Sequence, residues 1–313
     1  MSSLSIIFTN IRSELARYVY CPLFILGNVG NLLNIIIFSK KSMRISVCSI
    51  YFLMVSLANL ITINIGYLTR VLPTLGVNDP SRNIDWYCKG RAYLSGYSLT
   101  LTRHFLCVIA IDRFLITSRK PSVRQLSSIK LAKRLVPISC IIWSIFYLHT
   151  VFGYETNRSG TSCGRRSDFY STFTTVCTVT IDAIMPIVIM MLFNLLMLKH
   201  LNSKRLIRDI TSTRIQIQIN LNSNNERHLH RIEKQLIRLS FIQIFIYIFF
   251  NLPNAIYVVY MLITTNDSKT DDVKAIESFV SSFVSILTFI YCTVSINSKF
   301  SNRIFNVFFS NFL

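Results

Sequence analysis

The sequence has few charged residues and none of the motifs of a soluble catalyst. Only 15% of its 313 residues are charged and 51% are hydrophobic, a composition that soluble proteins of this length seldom have. It contains no phosphate-binding Gly-Lys-Ser/Thr loop and no nucleophile elbow. His228 and His230 have no Cys or carboxylate neighbours at metal-ligand spacing. We therefore expect no enzymatic activity, no metal and no cofactor.

The hydrophobic residues fall into seven runs, each near the length that crosses a bilayer. Backbone groups inside a bilayer must satisfy their own hydrogen bonds, so each run should be helical. The runs cover residues 18–39, 47–69, 92–117, 135–152, 169–198, 236–264 and 273–296. The prediction is an all-α membrane protein. It has an extracellular N-terminus (1–17), a seven-transmembrane helix bundle (18–298) and a short amphipathic cytoplasmic tail helix (299–313).

The basic residues predict the orientation of the bundle. With the N-terminus outside, 21 of the 33 Lys and Arg fall in inner segments and 11 in outer segments. This bias favours a multi-pass protein of the plasma membrane with an extracellular N-terminus. Topology and contact with anionic inner-leaflet lipid explain the net charge of +19, so we expect lipid and no nucleic acid as a partner. No cleavable signal peptide is visible, and the first helix is expected to act as its own anchor.

The outer segments contain two cysteines and two glycosylation sequons. Six of the eight Cys lie within or at the edges of hydrophobic runs, which leaves Cys88 and Cys163 outside. Because the extracellular environment is oxidising, these two are the natural disulfide pair. The sequons at Asn157 and Asn266 both fall in predicted outer loops and predict a glycoprotein.

The third run connects an outer Cys to an inner charged triplet. Cys88 and Arg113 of Asp112-Arg113-Phe114 are 25 residues apart, which is about 37 Å along an α-helix. The hydrocarbon core of a bilayer is roughly 30 Å thick. One helix therefore carries Cys88 on one side of the membrane and Arg113 on the other, as is typical of a signalling helix.

Other landmarks accompany this helix in a fixed order along the chain. They include the Gly-Asn pattern of the first run, Ser-Leu-Ala-Asn in the second, and single Trp, Pro and Tyr residues later. The landmark positions are Asn31, Asn59, Trp143, Pro186, Pro253 and Tyr291. Over roughly residues 18–309 the sequence thus resembles rhodopsin-like (family 1) G-protein-coupled receptors, and within them the divergent invertebrate neuropeptide and FMRFamide-receptor-like members.

The resemblance implies a coupling site for a heterotrimeric G protein at Asp112, Arg113 and Phe114. It also implies that Glu233, twenty residues before Pro253, pairs with Arg113 in the resting state. Twenty helical residues span about 30 Å, so the two charges should lie at one depth. The alternative is that Glu233 is one solvated charge in a basic loop.

Two departures from the family pattern affect its sodium site. Asn59 stands where the family has Asp, and Leu287 stands where it has Asn. A hard cation needs several oxygen ligands and usually a carboxylate. We therefore expect no modulation by sodium.

Two charged residues lie deep within the hydrophobic runs, far from the ends. Arg103 is ten residues before Arg113, and Asp182 is four residues before Pro186 on the fifth run. An isolated Arg inside a membrane costs about 3 to over 10 kcal/mol, so Arg103 should have a partner. We predict an Arg103–Asp182 pair. The alternative is that Arg103 contacts backbone carbonyls and water while Asp182 lines a ligand pocket.

The outer ends of the helices predict the ligand class. Ser95 occupies the position of the Asp that binds amines in related receptors, and Ser281 lies where opsins have Lys, which disfavours monoamines and retinal. Arginines and an acid surround aromatic residues there, which suits a peptide. The predicted pocket residues are Arg70, Arg91, Ser95, Tyr97, Arg165 and Glu277. The alternatives are ordinary interfacial Tyr and Arg residues, a chemosensory receptor for a small molecule, or a seven-helix transporter.

Overall fold

A computed structural model describes most of the hydrophobic runs and the segments that join them. The described residues are 6–8, 10–11, 14, 16–41, 46–72, 76–118, 120–156, 163–212 (side chains to 200), 245–264 and 267–294. Glu233, Asn157, Asn266 and the predicted tail helix lie outside the described residues. The predictions made for them remain predictions.

Seven long helices, α1 to α7, make up the described chain. Helix α1 is Cys21–Ser39, and α2 runs from Val47–Ile61 through a π-helical stretch to Leu68–Val71. Helix α3 is Asp85–Thr117 and α4 is Ile129–Tyr147. Helix α5 consists of Asp168–Cys177, the π-helical Thr178–Ile184 and Met185–Ser212. Helix α6 is Phe245–Ile263 and α7 is Asp271–Val294. The all-α membrane class predicted from the sequence is confirmed.

Six of these helices are long and apolar enough to cross a membrane, and α3 is the exception. Its 33 residues include both members of the Asp112-Arg113 pair and Arg103, which lower its hydropathy. Helix α3 can carry these charges because it packs against α2, α4 and α5 rather than facing lipid. The outward faces of its neighbours are apolar instead, as with Ile141 and Ile145 of α4.

Local sequence explains where several helices begin. Ser128 precedes α4, and its side chain accepts a hydrogen bond from the Leu131 amide, which satisfies a free donor of the first turn. This cap starts α4 six residues before the predicted hydrophobic run, since the basic residues of its first two turns continue the helix. Ser167 caps α5 in the same way, through the Tyr170 amide.

A small hairpin follows α4. Strand β1 (Tyr154–Thr156) pairs antiparallel with β2 (Cys163–Arg165), with Tyr154 opposite Arg165 and Thr156 opposite Cys163. The hairpin packs beside the first turns of α3. The end of the bundle that carries the hairpin is called the hairpin end below, and the opposite end, which carries Asp112-Arg113-Phe114, is called the triplet end.

Candidate functional site

A disulfide holds the hairpin against α3. Cys88 and Cys163 are bonded, with their Cα atoms 5.7 Å apart, which confirms the predicted pair. A second link joins the same elements, because the Thr156 amide donates to Asp85 Oδ1 at 3.1 Å. Cys88 is fully buried. The hairpin is thus fixed at two points over the helix ends.

A cavity of about 330 Å³ lies beneath the hairpin, between α2, α3, α4, α5, α6 and α7. Four of the predicted pocket residues line it, and they come from α2, α3 and β2. These are Arg70, Arg91, Ser95 and Arg165. Tyr147 of α4 and Tyr154 of β1 also line the cavity, and nothing in the sequence singled out these two tyrosines from the others. The structure therefore brings most of the predicted pocket together.

Two of the predicted pocket residues lie elsewhere. Tyr97 stacks on Tyr93 with ring centroids 6.0 Å apart, and the Tyr93 hydroxyl lies 2.7 Å from Ser144 Oγ on α4. Glu277 accepts from Lys269 Nζ at 2.6 Å and from the Tyr260 hydroxyl at 3.0 Å. The Glu277 hydrogen bond raises the pKa of Lys269. Glu277 lines a separate apolar groove between α6 and α7.

The floor of the cavity contains the two intramembrane charges. Arg103 Nη1 lies 3.1 Å from Asp182 Oδ1, and both side chains are about nine-tenths buried. The Asp182 carboxylate also accepts from Thr100 Oγ1 at 2.6 Å and from the Tyr147 hydroxyl at 3.3 Å. The carboxylate is thus well satisfied, as a buried charge requires. Spacing along the sequence did not identify Thr100 or Tyr147.

Asp182 is also linked to α6 through its backbone. Pro186 has no amide proton, so it cannot bond to the carbonyl four residues earlier, which is that of Asp182. The π-helical turn Thr178–Ile184 ends two residues before Pro186. The Tyr247 hydroxyl of α6 donates to this carbonyl at 2.7 Å. The Tyr247 ring in turn packs edge-on against Tyr291 of α7, with centroids 5.4 Å apart.

An uncharged network occupies the centre of the bundle. Asn31 Nδ2 donates to the carbonyls of Gly27 at 2.8 Å and Cys292 at 3.1 Å. Asn59 Nδ2 lies 3.4 Å from Asn31 Oδ1, and Thr102 Oγ1 donates to Asn59 Oδ1 at 3.0 Å. The network connects α1, α2, α3 and α7, and the contacts described for it include no carboxylate. Among the described residues, no group of three or more His, Cys, Asp or Glu could hold a metal ion.

The remaining landmark residues pack around this centre. Trp143 of α4 lies edge-on to His104 of α3, with ring centroids 5.9 Å apart, and the His104 ring reaches Ser139 at 2.9 Å. Pro253 lies on α6 and lines the apolar groove that Glu277 also lines. Neither residue lines the cavity.

At the triplet end, Arg113 points into the bundle. Its Nε donates to Cys48 Sγ of α2 at 2.9 Å, and its Nη2 is 3.8 Å from Asp112 Oδ2. Asp112 Oδ1 accepts from Ser127 at 2.5 Å. Nη2 has no hydrogen-bond partner among the residues that the structure describes.

Phe114 of the same triplet packs against α5. Its ring centroid is 5.4 Å from that of Phe193 and 5.3 Å from that of His200. The triplet therefore joins α3 to α2 through Arg113, to the following loop through Asp112, and to α5 through Phe114.

Comparison with known sequences identifies the fold family but no individual relative. The sequence model of the 7 transmembrane receptor (rhodopsin family) matches residues 30–295. That match includes the second half of α1, all of α2 to α7, the disulfide, the cavity and the triplet. No curated protein matches the chain significantly.

Proposed function

The chain belongs to the rhodopsin family of seven-transmembrane receptors, and from this premise we propose that it binds an extracellular peptide in the cavity and activates a heterotrimeric G protein through its triplet end. Members of this family are signalling receptors and generally not enzymes. The chain is accordingly a multi-pass membrane protein with an extracellular ligand and a G protein as partners. The peptide, the plasma membrane and the extracellular N-terminus belong to the proposal.

The observation that carries the proposal is the continuous contact between the cavity and α6. Asn254 of α6 and Asp182 both line the cavity, and the Asp182 backbone carbonyl accepts the Tyr247 hydrogen bond from α6. A ligand that displaces Asp182 or its partner Arg103 alters the support of that bond. Because ligands act by shifting a pre-existing equilibrium, binding would favour a conformation in which α6 has moved.

The hairpin end supports a peptide as the ligand. The disulfide and the Asp85–Thr156 bond fix the hairpin as a rim, and exposed Arg165 and half-buried Tyr154 lie on it. Tyr and Arg are the residues that most often anchor protein and peptide ligands. Disulfides form in oxidising surroundings, so this end of the bundle faces outward and the basic triplet end faces the cytoplasm.

The triplet end supports a resting latch between Arg113 and Glu233. Arg113 makes one bond to Cys48, and its Nη2 has no hydrogen-bond partner among described residues although it is buried. A buried guanidinium nitrogen without a partner is costly, so a carboxylate at this depth would stabilise the resting state. Movement of α6 would remove Glu233 and free Arg113 for the G protein.

The test is a second-messenger screen. Cells that express the chain are exposed to a neuropeptide library while cAMP and calcium are measured, with Arg113→Ala at equal surface expression as the control. A peptide response that Arg113→Ala abolishes is expected. A response that persists in Arg113→Ala contradicts coupling through the triplet. Proton-coupled uptake of a labelled substrate that mock cells do not show would contradict the receptor function and indicate a transporter.

A further inference from the structure

We propose that the cavity recognises a carboxylate on the ligand and that Arg91 and Arg70 bind it. This inference rests on the proposed receptor function and specifies the chemistry of its ligand. It starts from an imbalance of charge in the cavity wall. Four arginines line the cavity, namely Arg70, Arg91, Arg103 and Arg165, whereas Asp182 is the single acid among the described residues that line it. Asp182 already pairs with Arg103. The other three charges have no acidic counterpart among the wall residues that the structure describes.

No described carboxylate forms a salt bridge within 4 Å of Arg70, Arg91 or Arg165. The ion pairs of this end use other residues, as in Lys89–Asp85 and Arg166–Glu155. The undescribed residues that adjoin the segments of this end in the sequence include no acid. Residues 1–5, 9, 12, 13, 15, 73–75, 157–162 and 265–266 contain no Asp or Glu.

Asp79 is the acid whose charge acts on Arg91 from outside the cavity wall. Both of its oxygens are already engaged, because Oδ1 accepts from the Ser81 amide at 2.9 Å and Oδ2 from the Ser81 hydroxyl at 2.8 Å. The Asp79 carboxylate therefore fixes the short helix Pro80–Arg82 and leaves Arg91 without a direct ion pair among the residues described.

Arg91 is positioned to bind an anion. It is half-buried on α3, and its Nη1 donates to Thr69 Oγ1 at 2.7 Å. Thr69 directly precedes Arg70 on α2, and both arginines line the same cavity. The charges of the two arginines repel one another. A carboxylate between them would remove this repulsion and accept paired hydrogen bonds from a planar guanidinium. A cationic ligand would add a further positive charge to the same wall.

The size of the cavity limits what carries the carboxylate. Its volume of about 330 Å³ lies near the lower end of the roughly 300–1,000 Å³ typical of small-ligand sites. Aromatic side chains, among them Phe146 and Phe289, also line it. A compact aromatic acid fits this description, and so does the C-terminal residue of a peptide whose remainder lies along the hairpin rim.

Binding can be tested without a G protein. The full-length receptor in lipid nanodiscs is heated with phenylacetate, with the tripeptide acetyl-Ala-Ala-Phe as the free acid, and with the primary amides of both. Either acid at millimolar concentration should raise the unfolding temperature, and the amides should not. Stabilisation by phenylacetate assigns the carboxylate to a small acid. Stabilisation by the tripeptide acid alone assigns it to a peptide terminus.

Variants then identify the binding residues. Arg91→Gln and Arg70→Gln should each weaken acid binding at least tenfold, whereas the exposed Arg82→Gln, outside the cavity, should not. Arg91→Lys keeps the charge and serves if Arg91→Gln is poorly expressed, with a smaller loss expected. Equal stabilisation by acid and amide, no stabilisation by any acid, or unchanged affinity in Arg91→Gln overturns the proposal. Acid binding without any cellular signal overturns the receptor function instead.

Discussion

The buried Arg103–Asp182 pair offers the sharpest test of how the bundle is held together. Asp182→Leu leaves Arg103 about nine-tenths buried without its carboxylate. It also removes the acceptor of Thr100 and Tyr147. Loss of one partner from a buried pair costs about 3–5 kcal/mol, because the remaining charge stays desolvated and unpaired. Arg103→Met should cost a similar amount, since it leaves Asp182 as the unpaired charge.

The double variant Arg103→Met/Asp182→Leu tests whether the two charges stabilise each other. It contains no buried charge, so its loss of stability should be smaller than that of either single variant. The assay is the unfolding temperature of each purified receptor in nanodiscs, together with its surface density on cells. The expected order of unfolding temperatures places wild type and the double variant above both single variants.

An exposed pair provides the matched control. Glu155 and Arg166 are 3.6 Å apart with side chains 49% and 69% exposed, and such pairs are worth about 0–1 kcal/mol. Glu155→Gln, Arg166→Gln and their combination should therefore leave the unfolding temperature nearly unchanged. If the losses of Arg103→Met and Asp182→Leu simply add in the double variant, the two charges are not coupled and the reasoning is refuted.

Three further predictions concern the other parts of the receptor. Glu233→Ala should raise basal second-messenger output several-fold at equal surface density, and unchanged basal output contradicts the latch with Arg113. Replacing NaCl by choline chloride at constant ionic strength should leave ligand affinity unchanged, because Asn59 supplies no carboxylate; a sodium-specific shift contradicts this. Cys88→Ser should lower stability by about 2–5 kcal/mol, as loss of a native disulfide does. An unfolding temperature and a surface density equal to those of the wild type would show that the hairpin is held without the disulfide.

The features that the sequence predicted well are those that the membrane dictates. A bilayer forces long apolar runs into helices, and an oxidising exterior selects Cys88 and Cys163 from eight cysteines. The same argument led to Arg103 and Asp182, because a charge within a membrane helix requires a partner and few candidates exist. The 3.1 Å contact between them joins two residues that are 79 positions apart.

The features that the sequence did not reveal depend on which faces of the helices meet. Tyr97 and Glu277 lie at suitable depths for the cavity, yet Tyr97 stacks on Tyr93 and Glu277 is bound by Lys269. The depth of a residue in the membrane follows from its position along the helix. The direction of its side chain depends on how the helix is rotated against its neighbours, which the sequence does not give. Helix α3 starts at Asp85, before the predicted hydrophobic run, because polar and charged residues continue the helix there and Lys89 pairs with Asp85 one turn earlier.

The role of Tyr247 is one that the sequence did hint at, through a proline on another helix. A proline in a membrane helix leaves the carbonyl four residues earlier without its amide donor, and a bilayer offers no water to replace it. Pro186 therefore implies that some hydroxyl or amide must reach the Asp182 carbonyl. Tyr247 meets this requirement from α6 at 2.7 Å. Tyr247 thus supplies the hydrogen bond that the Asp182 carbonyl loses to Pro186, and it also connects the acid at the base of the cavity to α6. The need to pair this carbonyl and the proposed signalling route therefore depend on the same hydrogen bond.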